Sequence, residues 1–204
     1  MRWAPDARSR LERAALELFS DQGYTATTVP QITARAGLTT RTFFRYFADK
    51  REVIFGGSEV PDAAAALIRE APPELRPMDV IKLVLHQVVA ARFDGQKERT
   101  AAWRRIVNEN DSLRDRDARK RADLVLGARA AFVDRGESLV SATLHAEVGA
   151  LVFHVALEEW LTEPEPRSLA ETVDDVLKRL DVKIAADESR DVPAVDQITA
   201  TGRP

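Results

Sequence analysis

The first regular pattern along the chain is a single apolar stripe near the amino terminus. Apolar residues recur there at the three- and four-residue spacing of one helix face, with charged residues between them. This spacing predicts an amphipathic helix over about residues 7–20, which buries its stripe against other helices. The residues of the stripe are Leu11, Ala14, Ala15, Leu18 and Phe19.

Two shorter helices with a tight turn between them are predicted next. Thr28 and Gln31 have the spacing of a capping box, in which two side chains satisfy free backbone amides at the start of a helix. The helix that they begin must be short, because Gly37 follows and favours a turn. Thr39 then offers a hydroxyl that caps a third helix over residues 40–46.

Helical periodicity continues through most of the remaining chain. Asp49 and Glu52 repeat the capping-box spacing and open a fourth helix through Val53, Ile54 and Phe55. Beyond it, proline and glycine punctuation separates six more predicted helices. Their expected ranges are 61–70, 77–93, 96–109, 112–135, 139–162 and 168–182. The pattern fails from Ala185 onward.

These patterns predict an all-α fold made of three parts. The head, residues 1–55, contains the helix-turn-helix arrangement of two short helices around a glycine turn. The body, residues 56–184, is a separate set of longer helices, and residues 185–204 form a disordered tail.

Composition and charge change this picture in two respects. The 204-residue chain has no cysteine, no run of about 20 uncharged apolar residues and no apolar leader, so we expect a cytoplasmic protein without disulfides or a membrane span. The net charge of −3 for the whole chain argues against nucleic-acid binding, but the charge is unevenly distributed between the head and the rest of the chain. The head carries nine basic and six acidic residues, whereas the body and tail carry 21 basic and 27 acidic ones. A basic head is therefore joined to an acidic body.

The third helix has the residue types of a DNA-reading helix. Phe43 and Phe47 are expected to pack into the head, while Phe44 is the aromatic residue expected to reach a sugar or a methyl group. Thr40, Arg41 and Arg45 then point outward, and arginine can bond the O6 and N7 atoms of guanine together. Free backbone amides at the helix starts suit phosphate oxygens.

Residues 23–55, GYTATTVPQITARAGLTTRTFFRYFADKREVIF, resemble the DNA-binding signature of the TetR family of bacterial transcriptional regulators, and LERAALELFSDQ resembles that family's first helix. The resemblance covers about a quarter of the chain. It implies phosphate contacts at Thr28, Thr39, Tyr46 and Lys50, and base contacts at Thr40, Arg41 and Arg45, with Thr42 and Phe44 in the same contact set. The family often has a small residue at position 41 and tyrosine at 45, so arginine at both favours an operator that contains guanine.

The resemblance also implies that the body binds a small molecule and forms a homodimer. The segment 139–161 is apolar on more than one side, as expected of a helix that packs in its own core and against a second subunit. The predicted dimer contacts are Val140, Leu144, Val148, Leu151, Val155, Val173 and Leu177. The predicted lining of a ligand cavity is Leu67, Val84, Leu85, Trp103, Ile106, Phe132 and Phe153.

The sequence therefore predicts a ligand-responsive repressor that binds a pseudo-palindromic operator. Activation of transcription and ligand-independent DNA binding stay open as alternatives, and an enzyme with a DNA-binding head is the least favoured. The chain has no catalytic serine, zinc or nucleotide-binding motif, so we expect neither a catalytic residue nor a cofactor. His86, His145 and His154 are expected to be structural or surface residues, since His145 and His154 point to opposite sides of one helix and cannot share a metal.

Overall fold

The computed structural model describes residues 7–55, 59–164 and 167–188, and every element within those ranges is an α-helix. The predicted all-α fold is confirmed. The helices are α1 (Ala7–Gln22), α2 (Val29–Ala36), α3 (Thr40–Tyr46), α4 (Glu52–Phe55), α5 (Glu59–Glu70), α6 (Pro77–Arg92), α7 (Lys97–Asn108), α8 (Asp111–Asp134), α9 (Leu139–Thr162) and α10 (Leu169–Glu188).

Helices α1 to α4 form the head, and local capping explains where its short helices begin and end. The Thr28 side chain accepts a hydrogen bond from the backbone amide of Gln31, and the Gln31 side chain accepts one from the backbone amide of Thr28. Gly37 ends α2 with a φ of 63°, in the left-handed region that glycine adopts at little cost. Thr39 caps α3 by accepting a hydrogen bond from the amide of Thr42.

The core of the head is small and aromatic. The α1 stripe predicted from the sequence is buried, together with Ile32, Phe43 and Phe47. Residues from the body complete this core, since Ile106 of α7 and Leu113 of α8 belong to the same buried cluster. The head therefore packs directly on the body through α7 and the start of α8.

Helices α5 to α10 form the body around a separate core of alanine and valine side chains with few aromatic ones. Helix α8 packs along both α5 and α9, while α10 lies against α9 and α6. Small side chains such as Ala142, Ala146 and Ala150 on one face of α9 let the neighbouring helices approach closely.

Helix α9 is the one described helix that is long and apolar enough to cross a membrane by length and composition, with a mean hydropathy of 1.5. It packs against α6, α7, α8 and α10 instead of standing alone. Its length and apolarity are those of a central core helix that also has an apolar outer face.

The end of the chain differs from the sequence prediction in one respect. Helix α10 continues to Glu188, so residues 185–188, which were assigned to the disordered tail, are helical. The apolar stripe of α10 ends earlier than its backbone, which is why periodicity alone ended the helix too soon. Residues 1–6 of the predicted head and 189–204 of the predicted tail lie outside the described residues.

Candidate nucleic-acid interface and adjoining cavity

The exposed face of α3 carries the side chains that the sequence assigned to DNA contact. Thr40, Arg41, Phe44 and Arg45 are exposed, whereas Phe43 is fully buried between them. Phe44 is 55% exposed although its neighbour in the chain is a core residue. Because Phe43 and Phe47 anchor the underside, the opposite face of α3 is held toward solvent.

The two caps place hydroxyl groups beside free backbone amides at the starts of α2 and α3. Thr28 and Thr39 are both exposed, and the Thr39 hydroxyl lies 3.0 Å from that of Thr42. A helix start of this kind presents amide hydrogens and a positive dipole end to an anion. The two hydroxyls therefore lie where phosphate contacts were predicted.

Arg45 and Tyr46 form a stacked pair at the end of α3. The guanidinium of Arg45 lies 4.8 Å from the centre of the Tyr46 ring and donates a hydrogen bond of 3.1 Å to its hydroxyl. The pair restricts both side chains before any ligand arrives, so less rotamer entropy is lost on binding.

Lys50 has a structural role that the sequence did not reveal. Its ammonium donates hydrogen bonds of 2.7 Å to the carbonyl oxygens of Tyr24 and Thr27, and it lies 4.1 Å from the centre of the Tyr24 ring. Burial lowers the pKa of the Lys50 ammonium from its usual value. Lys50 therefore ties the residues after α3 to the loop that precedes the Thr28 cap.

Arg10 is a second supporting residue that the sequence did not single out. Its guanidinium donates a 2.5 Å hydrogen bond to the carbonyl oxygen of Ala36, the last residue of α2. The same guanidinium lies 3.0 Å from the position that a Cβ atom on Gly37 would occupy. Gly37 is thus required both by its backbone conformation and by the close approach of α1.

A cavity of about 660 Å³ lies inside the body and extends to the head. Side chains from α5, α6, α8 and α9 form its apolar walls. The head contributes Glu12 of α1 and all three of Val53, Ile54 and Phe55 from α4. An occupant of this cavity would touch the head directly.

Five of the seven predicted cavity residues lie in the lining, namely Val84, Leu85, Trp103, Phe132 and Phe153. Leu67 does not, because α5 turns Ala64 and Ile68 toward the cavity and Leu67 lies about 100° around the helix from Ile68. Ile106 does not either, because it is buried in the core of the head. His145 and His154, predicted to face opposite ways, both line the cavity, because they lie at the two edges of the half of α9 that faces it.

The relatives of the chain bear on both features. The family model of the bacterial regulatory proteins of the tetR family matches residues 12–55. The HTH-type transcriptional regulator TcmR of Streptomyces glaucescens is 38% identical over 92 residues. Over residues 12–55 the chain is therefore similar to the regulators of the TetR family. The similarity to TcmR covers 45% of this chain and 41% of that protein, so less than half of the relative's length is matched.

Two solved structures share the fold over most of the chain. The complex of SmeT with triclosan has a TM-score of 0.59 and 20% identity, and covers 88% of this chain and 90% of that one. The TetR-family repressor FadR of Thermus thermophilus, in complex with lauroyl-CoA, has a TM-score of 0.51 and 22% identity, and covers 92% of this chain and 98% of that one. At these identities the likeness establishes the arrangement of helices.

The outer face of α9 is apolar and exposed. Val140 is 72% exposed, Leu144 61%, Leu151 45% and Val155 39%, while Val148 is half-buried. These residues were predicted as dimer contacts, and the side chains that point outward remain candidates for that role.

The other two predicted dimer contacts need correction. Val173 is fully buried and Leu177 is 9% exposed, and both belong to the core of their own subunit. Helix α10 packs its apolar stripe against α9 and α6, so its own subunit already covers the stripe that was predicted to meet a partner. No group of three or more metal-binding side chains lies within the part of the chain that the structure describes.

Proposed function

We propose that this protein is a DNA-binding transcriptional regulator whose α3 enters the major groove. The observation that carries the proposal is the exposed row of Thr40, Arg41 and Arg45 on a helix whose opposite face is anchored by buried Phe43. A short capped helix that presents its amino-terminal residues outward is the reading element of helix-turn-helix proteins. Thr28, Thr39 and Tyr46 flank it and supply phosphate contacts that fix its register.

The regulator acts as a homodimer. One α3 of seven residues contacts few base pairs, so two copies are needed for a specific site, with half-sites about 34–36 Å apart or a multiple of that distance. The exposed apolar face of α9 is the surface that joins them, because a row of exposed leucine and valine side chains on a soluble helix is costly unless a partner covers it.

A small molecule in the cavity controls the affinity for DNA. The lining includes α4, so a ligand that fits one head position better than another shifts the head and changes operator affinity by reciprocal linkage. The related structures of SmeT and FadR hold small molecules, which supports a similar use of this cavity. The proposed regulator is a repressor that acts in the cytoplasm: it excludes polymerase while it is bound and releases the operator when the ligand binds. No catalytic step enters this proposal.

The test is selection of bound sequences from random double-stranded DNA by the purified full-length protein. We expect a pseudo-palindromic motif with guanine in each half-site, and Arg41→Ala should lose the preference at one position of each half-site while keeping the rest. Repeating the selection with a metabolite library should identify mixtures that reduce recovery of the motif. Failure to enrich any motif at low and moderate salt would overturn the proposal.

A further inference from the structure

The cavity is elongated and has two chemically different ends. Lys120 and Phe132 lie twelve residues apart on α8 and both line it, as do His145 and Leu157 on α9. Twelve residues of α-helix span about 18 Å. Because α8 and α9 are antiparallel neighbours, Phe132 and His145 mark the far end, while Lys120 marks the end beside the head.

Apart from the imidazoles of His145 and His154, the side chains that line the middle and the far end are apolar, whereas charged side chains concentrate beside the head. Two of the lining carboxylates are already paired, Glu12 with Arg99 and Asp117 with Arg104. The other charged residues of the lining are Arg92, Asp94, Lys120 and Arg121. Positive charge is therefore in excess at this end of the cavity.

Lys120 connects this end of the cavity to α4. Its ammonium donates to the Glu52 carboxylate at 3.4 Å and to the carbonyl oxygen of Phe55 at 3.4 Å. Arg116 donates to the other oxygen of Glu52 at 2.5 Å, and Glu52 is only 8% exposed. The two hydrogen bonds that Lys120 donates to α4 are both long, so a closer acceptor would compete with them.

The local electrostatics favour such an acceptor. Burial lowers the pKa of the Lys120 ammonium, Glu52 raises it in part, and the charges of Arg116 and Arg92 lower it again. One carboxylate thus faces several cations in a partly buried place where screening by water is weak. A second anion would relieve the repulsion among them.

We infer that the cavity binds an elongated, mostly apolar molecule with an anionic group, and that this anion competes with Glu52 for Lys120. The apolar part occupies the walls formed by α6, α8 and α9. When Lys120 turns to the anion, α4 loses the hydrogen bonds that Lys120 donates to the carbonyl oxygen of Phe55 and to one carboxylate oxygen of Glu52. The inference rests on the proposed function, because it supplies the step by which a ligand in the body loosens the head.

The test compares decanoate with 1-decanol, which have the same chain and differ in the charge of the head group, by calorimetric titration of the full-length protein. Decanoate should bind more tightly to the wild type. Lys120→Met should reduce the ratio of the two affinities about tenfold, because it removes a charge-assisted hydrogen bond, and should leave decanol within about twofold. Arg119→Met removes the same charge from an exposed position of the same helix and should leave the ratio unchanged.

Two further variants separate competition from a merely structural role of Lys120. Glu52→Gln should bind decanoate severalfold more tightly and decanol equally, because the competing carboxylate has gone. Lys120→Arg should keep the preference for decanoate. The inference is overturned if decanol matches decanoate in the wild type, if Lys120→Met weakens both ligands equally, or if Glu52→Gln leaves decanoate binding unchanged.

The titration contains no DNA, so its outcome is independent of the proposed function. A protein that prefers decanoate through Lys120 but selects no DNA motif would refute the proposed function alone. A protein that selects a motif but binds both head groups equally would refute this inference alone.

Discussion

The head and the body differ both in the side chains that they bury and in the side chains that they expose. The head buries aromatic rings such as Phe43 and Phe47 in a small core and exposes threonine and arginine on α3. The body buries mainly alanine and valine, yet exposes leucine and valine on the outer face of α9. An exposed polar row on an anchored helix suits a charged, hydrated ligand such as DNA, whereas an exposed apolar row requires another protein surface.

The same difference appears in how the two regions are held together. In the head, polar side chains such as Thr28, Thr39 and Lys50 bond backbone groups and fix short helices that could not persist alone. In the body, long helices pack side by side around a cavity, and ion pairs such as Arg104 with Glu158 lie at its edge. The head is therefore built for a fixed shape, while the body has room for an occupant.

The largest effect is expected from the core of the head. Phe43→Ala should lower the free energy of unfolding by about 3–5 kcal/mol, because it leaves a cavity beside Phe47 that the small core cannot fill. Phe44→Ala, at the next residue, which lies on the exposed face of α3, should lower the free energy of unfolding by less than about 1 kcal/mol. Urea unfolding at one fixed protein concentration measures both, and equal losses would show that α3 is not anchored through Phe43.

The apolar face of the body gives the next largest effect. Leu144→Glu combined with Leu151→Glu should weaken dimerisation about a hundredfold or more, because two charges would have to be buried in an apolar contact. Lys178→Glu, on an exposed part of α10, should leave it unchanged. Sedimentation equilibrium reports the association state. A wild type that is monomeric, or a double variant that dimerises normally, contradicts the proposed interface.

The polar row of the head should give a smaller and more selective effect. Arg41→Ala should cost about 1–3 kcal/mol at one operator position, whereas Lys50→Met should weaken binding to all sequences and also destabilise the loop at Tyr24 and Thr27. Arg35→Ala removes a cation of the head that already pairs with Glu17. This variant should change neither the sequence preference nor the overall affinity for DNA. Binding to the selected operator and to scrambled DNA at several salt concentrations distinguishes these outcomes. Equal losses on both DNAs for Arg41→Ala would refute base reading.

The smallest effect concerns the start of α4, where head and body meet. Asp49 accepts hydrogen bonds from the backbone amides of Arg51 and Glu52. Burial alone would raise the pKa of the Asp49 carboxyl, but these bonds and the Arg51 guanidinium outweigh it and lower the pKa. The stabilisation is therefore complete above the unfolded pKa of about 3.9 and is lost as the pH falls through the lower folded value.

Asp49→Asn should consequently cost less than about 1 kcal/mol near neutral pH, because asparagine still caps the helix and water screens the partly exposed carboxylate. The difference from the wild type should shrink below about pH 4. Unfolding curves measured across this range test the sign. Asp181→Asn, which removes an exposed carboxylate on α10, is the matched control. A deficit of Asp49→Asn that stays constant in acid would mean that the carboxylate charge contributes nothing to the cap.

Much of the head could be predicted from the sequence because its determinants are local. The α1 stripe, the capping box at Thr28, the glycine turn and the Thr39 cap each act within about four residues, so the linear pattern contains them in full. The helices of the body were also predictable from their periodicity and from proline and glycine breaks. Periodicity could not show which helix or subunit each apolar face would contact.

That assignment was decided by the tertiary structure alone. Val173 and Leu177 have the same apolar pattern as the exposed row of α9, and only the packing of α10 shows that their own subunit covers them. The bonds from Arg10 to Ala36, from Lys50 to Thr27 and from Arg116 to Glu52 join residues that are 26, 23 and 64 positions apart. Sequence patterns specify which side chains can bury or bond, but contacts over such separations depend on how whole helices dock, and no local spacing records that.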